Sequence, residues 1–212
     1  KVIKRELPDT MELLEPDSYR GGRAFYDFTP RIIYKNSQVH PDSDRMDYYE
    51  GKLNHLWVDL FILDKLPEGK LASEMTRFIH KAIYGLAMGH RHDLDYSRYS
   101  LLHKIFVGGL ATAGKLIPLK WIISMQKWAA LKDRKSKGSR WYYSNYQPDY
   151  LYVTLEDDWC TKTEDAPFED TQLMIPKGYH QVLTEVYGDY MQLPPEDKRV
   201  PTHSSQQIRV FD

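Results

Sequence analysis

The chain has 212 residues, of which 28% are charged and 42% are hydrophobic, and its formal net charge is −1. These values predict an ordinary soluble globular protein, built as one large domain or as a domain with a helical appendage. The near-neutral charge gives no argument for a nucleic-acid partner. Cys160 is the single cysteine, which excludes an intrachain disulfide and a cysteine-based zinc site and fits a reducing, cytoplasmic compartment.

The first third of the chain predicts short strands and polar connections. Residues 1–9 read as the end of a helix and lack the apolar core of a signal peptide. Because the chain does not begin with Met, we expect further sequence upstream. Strands are predicted at residues 11–15 and 31–35, and a polar loop is predicted at 38–52. Residues 55–64 form the strongest strand pattern, since the run is nearly all apolar, as in a strand covered on both faces.

Helical patterns dominate the middle of the chain. A helix is predicted from Leu71, with an apolar face that repeats every three or four residues at Leu71, Met75, Phe78, Ile79, Ala82, Ile83, Leu86 and Ala87. A second helical stretch, 101–132, is expected to break near Pro118. A basic linker at 133–140 follows.

The last third returns to strands and ends with a helix. Strands are predicted at 141–143 and 150–155, and a final helix begins at Pro176 and ends at Gly188. Its buried face is expected to comprise Tyr179, Val182, Leu183, Val186 and Tyr187. The order of elements predicts an α/β or α+β fold in which 1–69 and 141–212 form one domain and 70–140 form a helical insert.

Asp59 is the first candidate for chemistry. A carboxylate inside an apolar run is costly to bury unless it is paired or binds a metal. Trp57, Asp59 and Phe61 share one face of the predicted strand. The competing interpretation is that Asp59 only accepts backbone hydrogen bonds at the end of a strand. Asp64, beside Lys65, is interpreted as a turn residue.

Arg31 and Lys35 lie two strand periods apart on one face of their strand. Two cations in this arrangement suit a phosphate or diphosphate, with Arg31 able to form a bidentate contact. Without further support, they would be interpreted as a solvated strand face.

Several weaker candidates are interpreted mainly as surface features. Asp42 and Asp44 have D-x-D spacing but stand in polar, proline-flanked sequence. Glu169 follows a Pro-Phe turn, and His203 lies in the C-terminal tail. A further acidic and histidine-rich group could form a metal site, but it connects two helical patterns, where solvated connectors are usual; it comprises His90, His92, Asp93 and Asp95.

Residues 115–140 combine many lysines and arginines with Trp121 and Trp128. This pattern suits an amphipathic helix on an anionic membrane surface, and equally a helix packed on the domain with a solvated basic side. The aromatic share of 13% indicates core packing or, alternatively, a cleft for sugars or a choline-like cation.

Two blocks of sequence resemble the LicD family, the LicD/fukutin-related phosphotransferases. One is the basic strand RIIYKN at 31–36 followed by WVDLFILDKLP at 57–67, and the other is YGDYM at 187–191 followed by LPP at 193–195. The resemblance implies a nucleotidyltransferase-like mixed sheet and a divalent metal, Mg²⁺ or Mn²⁺. It also implies transfer of phosphocholine or a phospho-polyol from a CDP-linked donor to a cell-surface glycan such as teichoic acid or lipopolysaccharide sugar, at the cytoplasmic side of the plasma membrane.

The same resemblance implies roles for individual residues. Asp59 matches a catalytic, metal-binding carboxylate, Arg31 and Lys35 match the basic strand that contacts the donor phosphates, and Glu169 becomes a substrate-binding candidate. The D-x-D segment that precedes the basic strand in the family has no counterpart before residue 31. The isolated chain is therefore expected to be inactive. The alternative is a non-catalytic glycan-binding or membrane-peripheral module derived from the same fold.

Overall fold

A computed structural model of the chain describes residues 2–95, 97, 100–196, 199 and 208–211. Its α-helices are α1 (Val2–Glu6), α2 (Asp44–Tyr48), α3 (Lys70–Ala87), α4 (Leu101–Gly114), α5 (Leu119–Leu131), α6 (Asp157–Cys160) and α7 (Tyr179–Tyr187). Its strands are β1 (Met11–Leu14), β2 (Arg31–Tyr34), β3 (Ser37–Gln38), β4 (Leu56–Asp59), β5 (Leu63–Lys65), β6 (Arg140–Tyr143), β7 (Thr154–Glu156), β8 (Thr163–Phe168), β9 (Thr171–Pro176) and β10 (Arg209–Val210). Two 3₁₀ turns lie at Met88–His90 and Pro148–Tyr152.

A three-stranded antiparallel sheet in the order β1-β2-β4 carries the N-terminal region. Its buried side chains include Leu14 and Ile33, and they pack against residues of the adjoining loops. The predicted loop at 38–52 contains the short helix α2, which the polar sequence concealed. Ser43 caps α2 by accepting a hydrogen bond from the Met46 amide. The aspartates at 42 and 44 therefore stand at a helix start, where negative charge is favourable.

The predicted strand at 55–64 was wrong in its continuity and in its burial on both faces. It divides into β4, which pairs with β2, and β5, which pairs with β6 in a different sheet. At the break, the side chain of Asn145 accepts a hydrogen bond from the Ile62 amide at 2.8 Å and donates one to the Leu60 carbonyl at 2.9 Å. A buried side-chain amide thus takes the place of strand pairing. Val58 is 65% exposed, so β4 has one open face.

A second three-stranded antiparallel sheet has the order β5-β6-β7. The predicted strand at 150–155 was wrong in its first part, because Pro148–Tyr152 forms a 3₁₀ turn and β7 begins only at Thr154. Leu66, Tyr142 and Leu151 form a buried cluster here. Since β5 comes from the predicted N-terminal segment and β6 and β7 from the C-terminal one, this sheet joins the two in space.

Helix α3 confirms the predicted helix. In its first half, however, the predicted apolar face is exposed and the opposite face packs against the core. Leu71, Met75 and Phe78 are 81%, 53% and 56% exposed. The buried residues of this half are polar, and each has a partner. Ser73 donates a hydrogen bond to the Pro67 carbonyl, and Thr76 donates one to the Asp133 carboxylate. Arg77 donates a hydrogen bond to the Leu151 carbonyl, and His80 forms one with the Tyr142 hydroxyl. Buried polar groups are tolerated when they are hydrogen-bonded, so these contacts allow the inversion.

Helices α4 and α5 confirm the predicted break, with Pro118 immediately before α5. Helix α4 lies very close to α3, because a Cβ on Gly114 would be only 1.9 Å from the Leu86 carbonyl oxygen. Within the described residues, no single helix has the length and apolar character needed to cross a membrane. Helix α5 and the part of α4 that begins at His103 have this length and apolar character only when they are taken together. The two helices are bent by 117° relative to each other.

The C-terminal region contains the hairpin β8–β9 and α7. The predicted start of the last helix at Pro176 was wrong, because Pro176 ends β9 and α7 begins at Tyr179. The predicted buried face was also wrong in part: Val182, Leu183 and Val186 are half-buried, whereas Tyr179 and Tyr187 are 44% and 69% exposed.

The mixture of helices with antiparallel sheets confirms an α+β fold. The division into 1–69, 70–140 and 141–212 and the likeness to a nucleotidyltransferase remain predictions.

Candidate functional site

Asp59 and Arg31 meet at the end of the first sheet. Register places the two residues directly opposite each other on β4 and β2. Arg31 Nη2 lies 3.0 Å from Asp59 Oδ1, and the exposed fractions of the two side chains are 9% and 28%. The prediction that Trp57 and Asp59 share a face is confirmed, because Trp57 Nε1 donates to Asp59 Oδ2 at 3.2 Å. The carboxylate is therefore held from two sides.

The Arg31 guanidinium is enclosed by aromatic rings. Its central carbon lies 4.7 Å from the centre of the Tyr26 ring and 5.5 Å from that of Trp57, both within the range of a cation–π contact. The ion pair with Asp59 is close but not aligned as a hydrogen bond. Arg31 Nε and Asp59 Oδ1 are buried atoms without a hydrogen-bond partner among the described residues. Arg31 Nε thus retains donor capacity that the described residues do not use.

A second buried carboxylate, Asp27, lies near the same group. Burial raises the pKa of Asp27, whereas the charges of Arg91 and Arg31 and the backbone amides of Phe28 and Thr29 oppose that rise. Arg91 donates to the Tyr26 carbonyl at 2.6 Å and to the Tyr84 hydroxyl at 2.7 Å. The charged groups of Asp27, Arg91, Arg31 and Asp59 therefore form one electrostatic cluster.

Four aromatic side chains form a group around Phe61, which follows Asp59 by two residues. The centre of the Tyr146 ring lies 4.3 Å from that of Phe61 and 4.1 Å from that of Tyr150, and Tyr143 lies 5.8 Å from Phe61. Burial raises the pKa of the Tyr146 hydroxyl, with smaller contributions from nearby groups.

The other predicted substrate-binding residues lie elsewhere on the described surface. Lys35 is exposed just after β2, and it borders a shallow cleft of about 330 Å³ with residues from α1 and β1. Arg31, at the other end of β2, is committed to Asp59. Glu169 is exposed at the tip of the β8–β9 hairpin, with a positive φ of 51°. The roles assigned to Lys35 and Glu169 remain predictions.

The described residues do not form a metal site by themselves. Among them, no three or more His, Cys, Asp and Glu side chains are grouped so that they could hold an ion. The Asp59 carboxylate already faces the Arg31 guanidinium at 3.0 Å. A metal ion bound to Asp59 would have to be accommodated beside this positive charge. The histidine-rich connector is also dispersed, because His90 Nε2 lies 3.0 Å from the carbonyls of Gly114 and Ile117, whereas His92 pairs with Asp93. His203 lies outside the described residues.

A larger cleft, of about 620 Å³, opens away from Asp59. Its described lining comprises Asp17, Gly21, Gly22, Arg23, His90, Pro118, Leu119 and Lys120. It shares no residue with the Asp59–Arg31 pair. The pair is the stronger candidate, because the unpaired Arg31 Nε and the adjacent Tyr26 and Trp57 rings point to ligand chemistry, whereas cleft volume alone does not.

The comparison with known proteins assigns the family. The chain is 53% identical over 170 residues to the lipopolysaccharide cholinephosphotransferase LicD of Haemophilus influenzae, in an alignment that covers 73% of the chain and 57% of that relative. The chain belongs to the LicD family. It spans little more than half the length of the curated LicD protein that it matches. No family model and no solved structure matches the chain.

The motif of the LicD family near the C-terminus lies on an open part of the surface. Tyr187 and Met191 are 69% and 74% exposed, so Tyr187 does not belong to the buried helix face that the sequence predicted for it. Tyr190 does form an internal contact, since its hydroxyl hydrogen-bonds His180 Nδ1 at 2.9 Å.

Sequence reasoning found Asp59 and Arg31 but missed Asp27, Arg91 and the aromatic group around Tyr146. For Asp27 a signal was present, because it lies in the aromatic run FYDFT at 25–29, the same context that drew attention to Asp59. For Tyr146 the sequence offered no such signal.

Proposed function

We propose that this LicD-family protein takes part in transferring phosphocholine from a CDP-linked donor to a cell-surface glycan. The observation that carries the proposal is its identity of 53% to a lipopolysaccharide cholinephosphotransferase. Lipopolysaccharide sugar is the preferred acceptor class for the same reason, with teichoic acid as the second. The reaction is placed at the cytoplasmic side of the plasma membrane, which fits a chain with a single cysteine.

The aromatic group around Phe61 supports choline over a polyol as the transferred substituent. A trimethylammonium group is bound by aromatic faces through cation–π attraction. Phe61 is 43% exposed, which leaves one ring of the group open to a ligand. A polyol lacks the positive charge and gains nothing from this attraction.

Arg31 is assigned to the donor phosphates and Asp59 to the reacting end of the donor. The guanidinium Nε has no hydrogen-bond partner among the described residues, so it can donate to a diphosphate oxygen once the site opens to the donor. Lys35 and Glu169 are assigned to the outer parts of the substrates because both are exposed.

Dependence on Mg²⁺ or Mn²⁺ is part of the proposal, with Asp59 as the candidate ligand among the described residues. The remaining ligands are expected from the D-x-D segment that precedes the basic strand in the family and has no counterpart before residue 31, and for this reason we expect the isolated 212-residue chain to be inactive. Transfer by the protein as encoded should be abolished by EDTA and restored by either ion. Activity that withstands EDTA would remove the metal from the proposal.

The central test is transfer by the protein as encoded, measured with CDP-choline and CDP-glycerol. Asp59→Asn should abolish transfer, whereas Asp165→Asn, in the exposed β8 strand, should leave it unchanged. Tyr146→Leu should raise KM for CDP-choline by about tenfold and leave KM for CDP-glycerol unchanged. Equal effects on both donors would contradict the choline assignment. Glycan binding without transfer from any CDP-linked donor would favour the non-catalytic alternative.

A further inference from the structure

Helix α5 has an apolar face on the side away from the core. Its inner face is buried and includes Ile122, Ile123 and Ala129. On the outside, a stripe repeats every three or four residues and comprises Trp121, Met125, Trp128 and Leu131, which are 62%, 40%, 60% and 52% exposed. We call these four residues the α5 stripe. A surface helix that is apolar on its outer face as well as on its buried inner face is expected to contact something on the outside.

Exposed lysines lie in the same segment as the α5 stripe. Lys115, Lys120 and Lys127 are exposed, and Lys120 and Lys127 lie on the same helix as the stripe. Residues 101–132 contain five lysines and no Asp or Glu, although the whole chain has 29 basic and 30 acidic residues. Lys132 is not available, because its ammonium group contacts Thr76 and Asp133. Within residues 101–132, which carry the exposed apolar side chains, the charged side chains other than histidine are thus all positive.

The turn before α5 extends the same surface. Leu116 is 85% exposed, the highest fraction among the exposed large hydrophobic side chains of the described part of the chain, and it follows Lys115 directly. An exposed leucine next to a lysine can enter the outer layer of a bilayer while the ammonium group remains among the headgroups.

We propose that α5 and the turn at Lys115–Leu116 dock on an anionic membrane surface. Tryptophan prefers the boundary between headgroups and acyl chains, and lysines attract anionic lipid, so both features of the surface fit the same occupant. A second copy of the chain fits less well, because a two-fold contact through this face would bring the positively charged lysines of the two copies together. Since the inner face of α5 is buried in the protein, only the α5 stripe and Leu116 enter the lipid. This proposal does not depend on the proposed function.

The first test is flotation of the protein as encoded with vesicles of phosphatidylcholine, with and without phosphatidylglycerol. Binding is expected only with phosphatidylglycerol and should weaken as salt increases. The triple variant Lys115→Gln, Lys120→Gln, Lys127→Gln should lower the affinity for these vesicles roughly hundredfold, because each lost charge lowers it by about tenfold or less. Equal binding to both kinds of vesicle, or no effect of the triple variant, would overturn the electrostatic part of the proposal.

The second test separates docking by the α5 stripe from general stickiness. Trp121→Ser with Trp128→Ser should lower vesicle affinity by about tenfold or more. The matched control is Leu71→Ser with Phe78→Ser on α3, which removes two residues of similar exposure outside the lysine-rich segment, and it should leave affinity unchanged. Equal losses from the two double variants would refute the assignment to α5.

The third test measures insertion directly. Lipids brominated on the acyl chains should quench the tryptophan fluorescence of the bound protein, and most of that quenching should disappear in Trp121→Phe with Trp128→Phe. Quenching that survives in this variant would place the membrane contact elsewhere. Light scattering without lipid should give the same mass for the wild type and the Trp121→Ser, Trp128→Ser variant. A mass that falls to half in the variant would show that the surface joins two copies, and would overturn the proposal.

Discussion

Replacing Asp59 with Asn removes the charge that faces Arg31 while keeping the shape of the side chain and an oxygen for Trp57 Nε1. Arg31, with an exposed fraction of 9%, would then hold a nearly buried positive charge without its counter-ion. At the observed 3.0 Å, Coulomb attraction is about 1.4 kcal/mol with the permittivity of water and about 5.5 kcal/mol with an effective permittivity of 20. Because Asp59 is 28% exposed, we expect a coupling near the lower end, about 2 kcal/mol.

The assay is a double-mutant cycle in urea with Asp59→Asn, Arg31→Gln and the double variant, which gives the coupling as the departure from additivity. The matched control is Lys4–Glu15, whose charged atoms lie 2.5 Å apart but whose side chains are 52% and 42% exposed. There the coupling should be only about 0.5 kcal/mol or less, because solvent screens the pair. If Asp59 and Arg31 were additive within about 0.3 kcal/mol, the ion pair would not contribute in solution and the reasoning would be refuted. A folded but inactive Asp59→Asn variant would separate a functional role from a structural one.

Two further predictions concern the helices around the core. Burial lowers the pKa of His80 from about 6.5 to about 4, so between these values the unfolded chain binds a proton that the folded chain does not. Stability should therefore fall by about 3 kcal/mol as pH decreases from 6.5 to 4, and His80→Gln should lose this dependence in urea titrations, whereas His103→Gln, on the exposed side of α4, should retain it. Gly114→Ala should destabilise the protein by about 2 kcal/mol or more, since its Cβ would lie 1.9 Å from the Leu86 carbonyl oxygen. Gly109→Ala, on the same helix and with nothing within 4 Å, should stabilise it by up to about 1 kcal/mol, and equal midpoints for the two variants in urea would contradict the close approach of α3 and α4.

Helix α3 shows which information periodicity contains and which it lacks. The spacing of Leu71, Met75 and Phe78 correctly indicated a helix and correctly placed these residues on one face. It did not indicate whether that face lies inside, because burial depends on what the opposite face can bind. Thr76, Arg77 and His80 find partners in Asp133, the Leu151 carbonyl and Tyr142, all distant in sequence. Those contacts decide the orientation, and no window of local sequence contains them.

The break between β4 and β5 has a similar origin. An apolar run of ten residues is typical of one strand, and nothing in the run itself marks an end at Leu60. The end is set by Asn145, whose side chain hydrogen-bonds the backbone on both sides of the break from more than eighty residues away. The family motif at 187–191 also shows this limit, because recognition of a motif does not determine which of its residues are buried.

The sequence by itself determined the α+β class, most of the elements, the family, and the two residues with the strongest claim to function. It did so because local pattern fixes the type of an element, and because a carboxylate in an apolar run needs a partner wherever the run folds. Only the tertiary structure decided that the partner of Asp59 is Arg31, since the antiparallel register of β2 and β4 places the two residues opposite each other. It also decided that Tyr146 packs on Phe61, two residues after Asp59, and that the α5 stripe faces outward, because both depend on packing between segments far apart in the chain.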